Sequence, residues 1–205
     1  MKSKTGGYEQ IYQGLLKELA GFDLAANAPH LGLTADAQGA VVLNFMGRPY
    51  RVDNSGVTPL DEHPAGVNHL SLIAHYLMSP GRGEPAYSFL PLGRMTGLVE
   101  GRGTFDRDAV NGPLVRHFAD DDLSALARAV HRLGGKPESQ SPSGGHSWLF
   151  QPFPKIPMQL EYHEKDDEFP PAFRLLFDTK ATSFMEFEAL GFLSGVFVTE
   201  MCRPD

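Results

Sequence analysis

The sequence contains one cysteine, Cys202, in 205 residues. It can form no internal disulfide, and one thiolate makes no four-cysteine zinc or iron-sulfur site. A reducing, cytoplasmic setting is the expectation. No apolar run approaches the length needed to cross a bilayer, and the opening ten residues lack the apolar core of a secretory signal, so no membrane association is expected. Excess positive charge is also missing. The 18 Lys and Arg are outnumbered by 25 Asp and Glu, for a net charge of -7. Such a molecule repels polyanions at long range. Arg94, Arg102, Arg107 and Arg116 carry no aromatic-basic motif or zinc-finger spacing with them, so they read as solvated loop charge and nucleic acid is not the expected partner.

The remaining composition is that of a folding chain: 41% hydrophobic and 21% charged residues argue against disorder. Tyr8, Ile11, Tyr12, Leu15 and Leu19 recur at helical spacing, which predicts a first helix ending near Gly21. Residues 40–45 alternate as a strand with Val41, Leu43 and Phe45 on one face. Met46-Gly47 turns the chain into residues 48–52, where Pro49 predicts an edge strand or a start after the proline. Val67, Leu70, Ile73, Ala74 and Leu77 mark a second helix with Asn68, His75 and Ser79 on its opposite side. Leu72 and Tyr76 flank that polar stripe, which gives the helix a second contact surface.

From residue 79 to 112, glycine and proline are frequent and periodicity is poor, apart from a short strand expected around residues 87–90. A third helix is predicted from Asp120–Asp122, which favour its start, through Leu123, Leu126, Ala127, Val130 and Leu133, to Gly134-Gly135, which stop it. After a polar connector at 139–145, residues 148–151, 158–163 and 172–178 read as three antiparallel strands. The polar side chains of Gln159, Glu161 and His163 should face solvent or a cleft. Ser183 and Glu186 stand at capping-box spacing before a last, broadly apolar helix containing Leu190, Ser194 and Phe197. The expected fold is one α+β domain, an antiparallel sheet packed by about four main helices, with the last helix on the sheet.

No nucleophile motif surrounds Ser71, Ser88, Ser143 or Cys202, and no phosphate loop or dinucleotide fingerprint accompanies the glycines between Gly93 and Gly103. Two constellations remain. The run from His163 through Asp166, Asp167 and Glu168 concentrates oxygen donors that suit a hard cation, with His163 as an added nitrogen ligand; an exposed acidic turn is the plainer reading. His63, His69 and His75 near Asp61 and Glu62 supply metal-ligand types, but six residues separate His69 from His75 and they do not share a helix face. Cys202, after an apolar helix, reads as a buried or frayed thiol.

Residues 45–52 (Phe-Met-Gly-Arg-Pro-Tyr-Arg-Val) and 72–77 (Leu-Ile-Ala-His-Tyr-Leu) resemble a bacterial and archaeal domain-of-unknown-function family numbered thirty-seven eighty-six. The resemblance continues through Leu133-Gly134-Gly135, Phe153-Pro154-Lys155-Ile156-Pro157, residues 166–170, Leu176-Phe177-Asp178 and the helix start at Ser183 to Glu186. That family usually carries an aromatic-rich, arginine-containing segment after the second helix, where this chain has residues 87–94. Some relatives adjoin cysteine-rich segments connected with corrinoid systems in anaerobes. The resemblance implies an accessory or cofactor-related role, while this chain lacks those cysteines and specifies no cofactor.

The leading expectation is a non-catalytic domain that binds a small molecule or partner protein through Asp166, Asp167 and Glu168, with His75 or Arg94 contributing. The rival is a metal-dependent enzyme using His163, Asp166, Asp167 and Glu168. A structural homo-oligomer built on the apolar last helix is the third reading.

Overall fold

The computed structural model describes residues 6–95, 106–118, 123–138 and 145–204. The expected helix start at Asp120–Asp122, Arg102 with its flanking glycines, and Ser143 in the polar connector lie outside these residues. The chain divides into two compact units, Met1–Gly83 and Glu84–Asp205. Both antiparallel sheets and the helices give an α+β fold, as expected. The strands, however, are shared between two sheets of three and five strands.

In the N-terminal unit, α1 (Gly7–Leu19) buries Tyr12 and Leu19 but leaves Tyr8 and Ile11 exposed, so only part of its apolar stripe is used. The short α2 (Leu24–Asn27) is capped by Asp23, whose carboxylate accepts from the Ala26 amide. β1 (Val41–Phe45) and β2 (Arg48–Asp53) form the expected hairpin, with Val41, Leu43 and Phe45 buried. The turn is left-handed at both central positions, Met46 (φ 50°) and Gly47 (φ 75°), the twist that two-residue hairpins favour.

A third strand that period-2 reading does not mark, β3 (Gly56–Pro59), pairs with β2 and makes β2 central rather than an edge. Pro49 is tolerated there because it lies beyond the last β3 pair, where its carbonyl accepts from the Leu60 amide at 3.0 Å. α3 (Val67–Leu77) packs against α1 and β3.

The C-terminal unit is built on a sheet of order β4-β8-β7-β6-β5. Its strands are β4 (Phe89–Pro91), β5 (Lys136–Pro137), β6 (His146–Phe153), β7 (Ile156–His163) and β8 (Ala172–Asp178). Cross-strand register sets Phe150, Met158 and Phe177 in one row and His146, Tyr162 and Phe173 in another. The Tyr162 and Phe173 rings stack at 4.5 Å. α4 (Gly112–His117) and α5 (Leu123–Arg132) precede α6 (Phe187–Met201).

α6 is buried along most of its length, and Phe197 meets Phe150 edge-on at 4.8 Å, so the last helix packs on the sheet as expected. Its start differs. A 3-10 turn, Ala181–Ser183, intervenes, and the helix begins at Phe187 with Glu186 at the cap and no side-chain capping bond. α5 ends as expected at Gly134 (φ 77°), with the Gly135 amide returning to the Val130 carbonyl at 2.8 Å. Among the described residues, six α-helices occur, four of them (13, 11, 10 and 15 residues) long. No described helix is long and apolar enough to cross a membrane.

Candidate functional site

α3 carries polar side chains on a helix that is buried almost all round. Most of the polar groups near it are used by the fold. The Tyr50 hydroxyl lies 3.0 Å from His69 Nδ1, and the His69 ring meets Phe45 edge-on at 5.2 Å. The Tyr76 hydroxyl donates to the Leu31 carbonyl at 3.0 Å. Asn27 Nδ2 donates to the carbonyls of Leu77 and Ser79, each at 2.9 Å, closing the C-terminal end of the helix.

Three atoms are different. Asn68 Oδ1, Ser71 Oγ and His75 Nδ1 are buried and have no hydrogen-bond partner among the described residues. At 3.6 residues per turn, positions 68, 71 and 75 fall on one face, one helical turn after another. His75 was expected from sequence as part of a polar stripe. Ser79 leaves that stripe, its hydroxyl accepting instead from the Gly81 amide at 3.1 Å. Ser71, considered from sequence only as a nucleophile, joins it. The three atoms together offer an obligate acceptor, a hydroxyl, and an imidazole nitrogen that donates or accepts according to tautomer.

The histidine constellation does not assemble. His69 is committed to Tyr50, and the His63 carbonyl accepts from Arg48 Nη2 at 2.7 Å. Asp61 is held by Arg48 through a fork of two bonds at 2.7 and 2.6 Å, and this bonding lowers its carboxyl to about 2. Among the described residues, no three His, Cys, Asp or Glu side chains come close enough together to hold a metal ion.

The acidic loop joins β7 to β8 as an exposed, self-closed turn. Asp166 Oδ1 accepts from the amides of Glu168 and Phe169 at 2.8 and 2.6 Å, while the Asp166 amide donates to the Phe169 carbonyl. Asp167 and Glu168 are exposed, and Phe169 is 64% exposed. Half-buried His163 ends β7, and Glu164 pairs with His146 at 2.7 Å. Arg94 is exposed at the end of a 3-10 turn, Leu92–Arg94, in the same unit as the loop; His75 belongs to the N-terminal unit. Burial raises the half-buried Cys202 thiol, which disfavours the thiolate a nucleophile needs.

Sequence reasoning placed Gln159 and Glu161 toward solvent or a cleft, but both are buried in the central strand β7. Gln159 Nε2 donates to Glu138 Oε2 at 2.5 Å and to Ser147 Oγ at 3.1 Å, and the Ser147 hydroxyl donates to the same Glu138 oxygen at 2.9 Å. Alternation identified the polar face; it carried no signal that the face is covered.

Fold and site define an α+β protein that buries polar groups its own structure leaves unpaired. The chain belongs to the family described as a domain of unknown function (DUF3786), whose model matches residues 23–200. No curated protein and no solved structure matches it.

Proposed function

We propose that this protein is a non-catalytic accessory domain that binds a small polar molecule along α3, through Asn68, Ser71 and His75. The observation that carries this reading is the row of three buried, partnerless polar atoms on one helix face. Each unpaired buried group costs roughly 1–3 kcal/mol, and an apolar residue in the same place would avoid that cost. A ligand that supplies the missing bonds offsets it. Since Asn68 Oδ1 only accepts, the ligand presents at least one N–H or O–H donor, opposite a group that both donates and accepts toward Ser71 and His75. None of the three is hydrogen-bonded to another as a nucleophile is to its base, which is why the reading is binding rather than catalysis.

The loop at 166–168 and Arg94 support a separate contact with a partner protein. Asp167 and Glu168 are exposed charges with Phe169 next to them in the chain, an arrangement suited to a surface encounter and not to enclosing a small molecule, and Arg94 is a further exposed charge of the same unit.

Native mass spectra before and after gentle denaturation test the α3 reading. A mass released on unfolding from the unaltered protein, and absent from a variant carrying Ser71→Ala and His75→Leu, is the expected result. Retention of the same mass by that variant, or a bare chain in both, would overturn it. Spectra of Asp167→Asn with Glu168→Gln separate the loop, whose loss should leave the retained mass unchanged.

A further inference from the structure

In the C-terminal unit, Asp178 ends β8 with 0% of its surface exposed. Its Oδ1 accepts from the amides of Ala86 and Lys180 at 3.1 and 2.8 Å, whereas its Oδ2 is buried with no partner among the described residues. Residues 84–88 form a strap fastened at three points, one of them Asp178 itself. Glu84 pairs with the buried Lys155 at 2.5 Å, the Ala86 amide reaches Asp178, and the Ser88 carbonyl accepts from the Thr179 amide at 2.8 Å. Between the last two fasteners, Tyr87 is held at φ 50° with its side chain 55% exposed. A left-handed backbone is unfavourable for an aromatic residue, and such outliers persist only where their surroundings force them. The closed strap therefore holds strain on one side and a partnerless carboxylate oxygen on the other.

We propose that Asp178 is a second binding site, in which Oδ2 receives a primary ammonium group when the strap at 84–88 lifts. A buried carboxyl oxygen left without a donor forfeits a hydrogen bond, and a cationic donor restores it most strongly. A guanidinium fits poorly: its planar fork seeks both carboxylate oxygens, and Oδ1 keeps the Lys180 amide even when the strap takes the Ala86 amide away. A divalent cation lacks further ligands, since no metal-holding group of side chains occurs among the described residues. An ammonium needs only the one oxygen. Lys155 and Asp178, which lie in separate stretches of sequence, both hold the same strap. The site shares no residue with α3, so either can fail alone.

The test is a titration of methylammonium chloride followed in amide proton–nitrogen spectra, with potassium chloride at equal ionic strength as the control. The Ala86 and Lys180 amides, which report on Oδ1 directly, should shift saturably with methylammonium and stay still with potassium. Asp178→Asn, which keeps an oxygen for those amides, should abolish the shifts. Glu84→Gln unfastens the strap from Lys155 and should lower the methylammonium midpoint by about threefold, the effect of an ion pair whose carboxylate is exposed. A blocked lysine tripeptide that moves the same amides would assign the ammonium to a protein side chain; methylammonium acting alone would assign it to a free amine. Equal shifts with potassium, shifts that survive Asp178→Asn, or an unmoved midpoint in Glu84→Gln would overturn the proposal.

Discussion

Two groups of buried and half-buried polar side chains in this molecule have opposite fates. On the five-stranded sheet, Glu138, Ser147 and Gln159 satisfy one another through three hydrogen bonds converging within 3.1 Å. On α3, Asn68 Oδ1, Ser71 Oγ and His75 Nδ1 stand in a row and find no partner among the described residues. Burial of polar residues is common to both, so burial alone does not mark a site. The distinguishing property is whether the fold returns the hydrogen bonds that desolvation removed. The sheet network is explained by stability. The helix row is not, and that difference is the reason the ligand reading rests on α3.

The largest effect should come from breaking the satisfied group. Gln159→Leu removes both donors of Nε2 and leaves Glu138 short of a partner, which should lower stability by about 2–3 kcal/mol in urea denaturation. The same measurement on Ser71→Ala should show the opposite sign, a gain of up to about 1 kcal/mol in ligand-free protein, because an unpaired buried hydroxyl is removed at a site only 6% exposed. A loss as large as that of Gln159→Leu would place the row among structural networks and erase the contrast.

Smaller still is the effect of a paired group near the surface, the Arg48–Asp61 fork. Because Arg48 depresses the folded-state pKa of Asp61 to about 2, against an unfolded value near 3.9, the pair's stabilisation is complete above about pH 4–5. It is lost as pH falls toward 2. Urea midpoints between pH 2 and 6 should therefore fall less steeply with acid in Asp61→Asn than in the unaltered protein; parallel acid limbs would show that the fork contributes nothing.

Much of the fold was readable because its elements repeat at fixed periods. Val41, Leu43 and Phe45 alternate, and so do Met158, Leu160 and Tyr162, and all six are buried as alternation requires. β3 was not readable: four residues bounded by glycine and proline contain too little alternation, and only pairing with β2 defines them as a strand. The capping-box spacing of Ser183 and Glu186 failed for a related reason. A local motif competes with the 3-10 turn that ends at Ser183, and the helix starts only after it.

The candidate site was half legible. His75 on a polar stripe followed from helical spacing, but Ser79 turned away to Gly81, and Ser71, three residues after Asn68 on the same face, stood at stripe spacing yet was read only as a nucleophile. Asp166 was visible as a donor-rich loop residue, yet its Oδ1 oxygen is spent on the amides of its own turn.

The sequence by itself determined the α+β class, most of the antiparallel strands, the main helices and the family, because periodicity, turn chemistry and motif order are written in neighbouring residues. Only the tertiary structure decided which polar atoms found partners. A hydrogen bond such as Asn27 to Leu77 spans 50 positions and depends on ångström-scale approach, as does the solitude of Ser71 Oγ and Asp178 Oδ2, and neither distance nor solitude leaves a period in the chain.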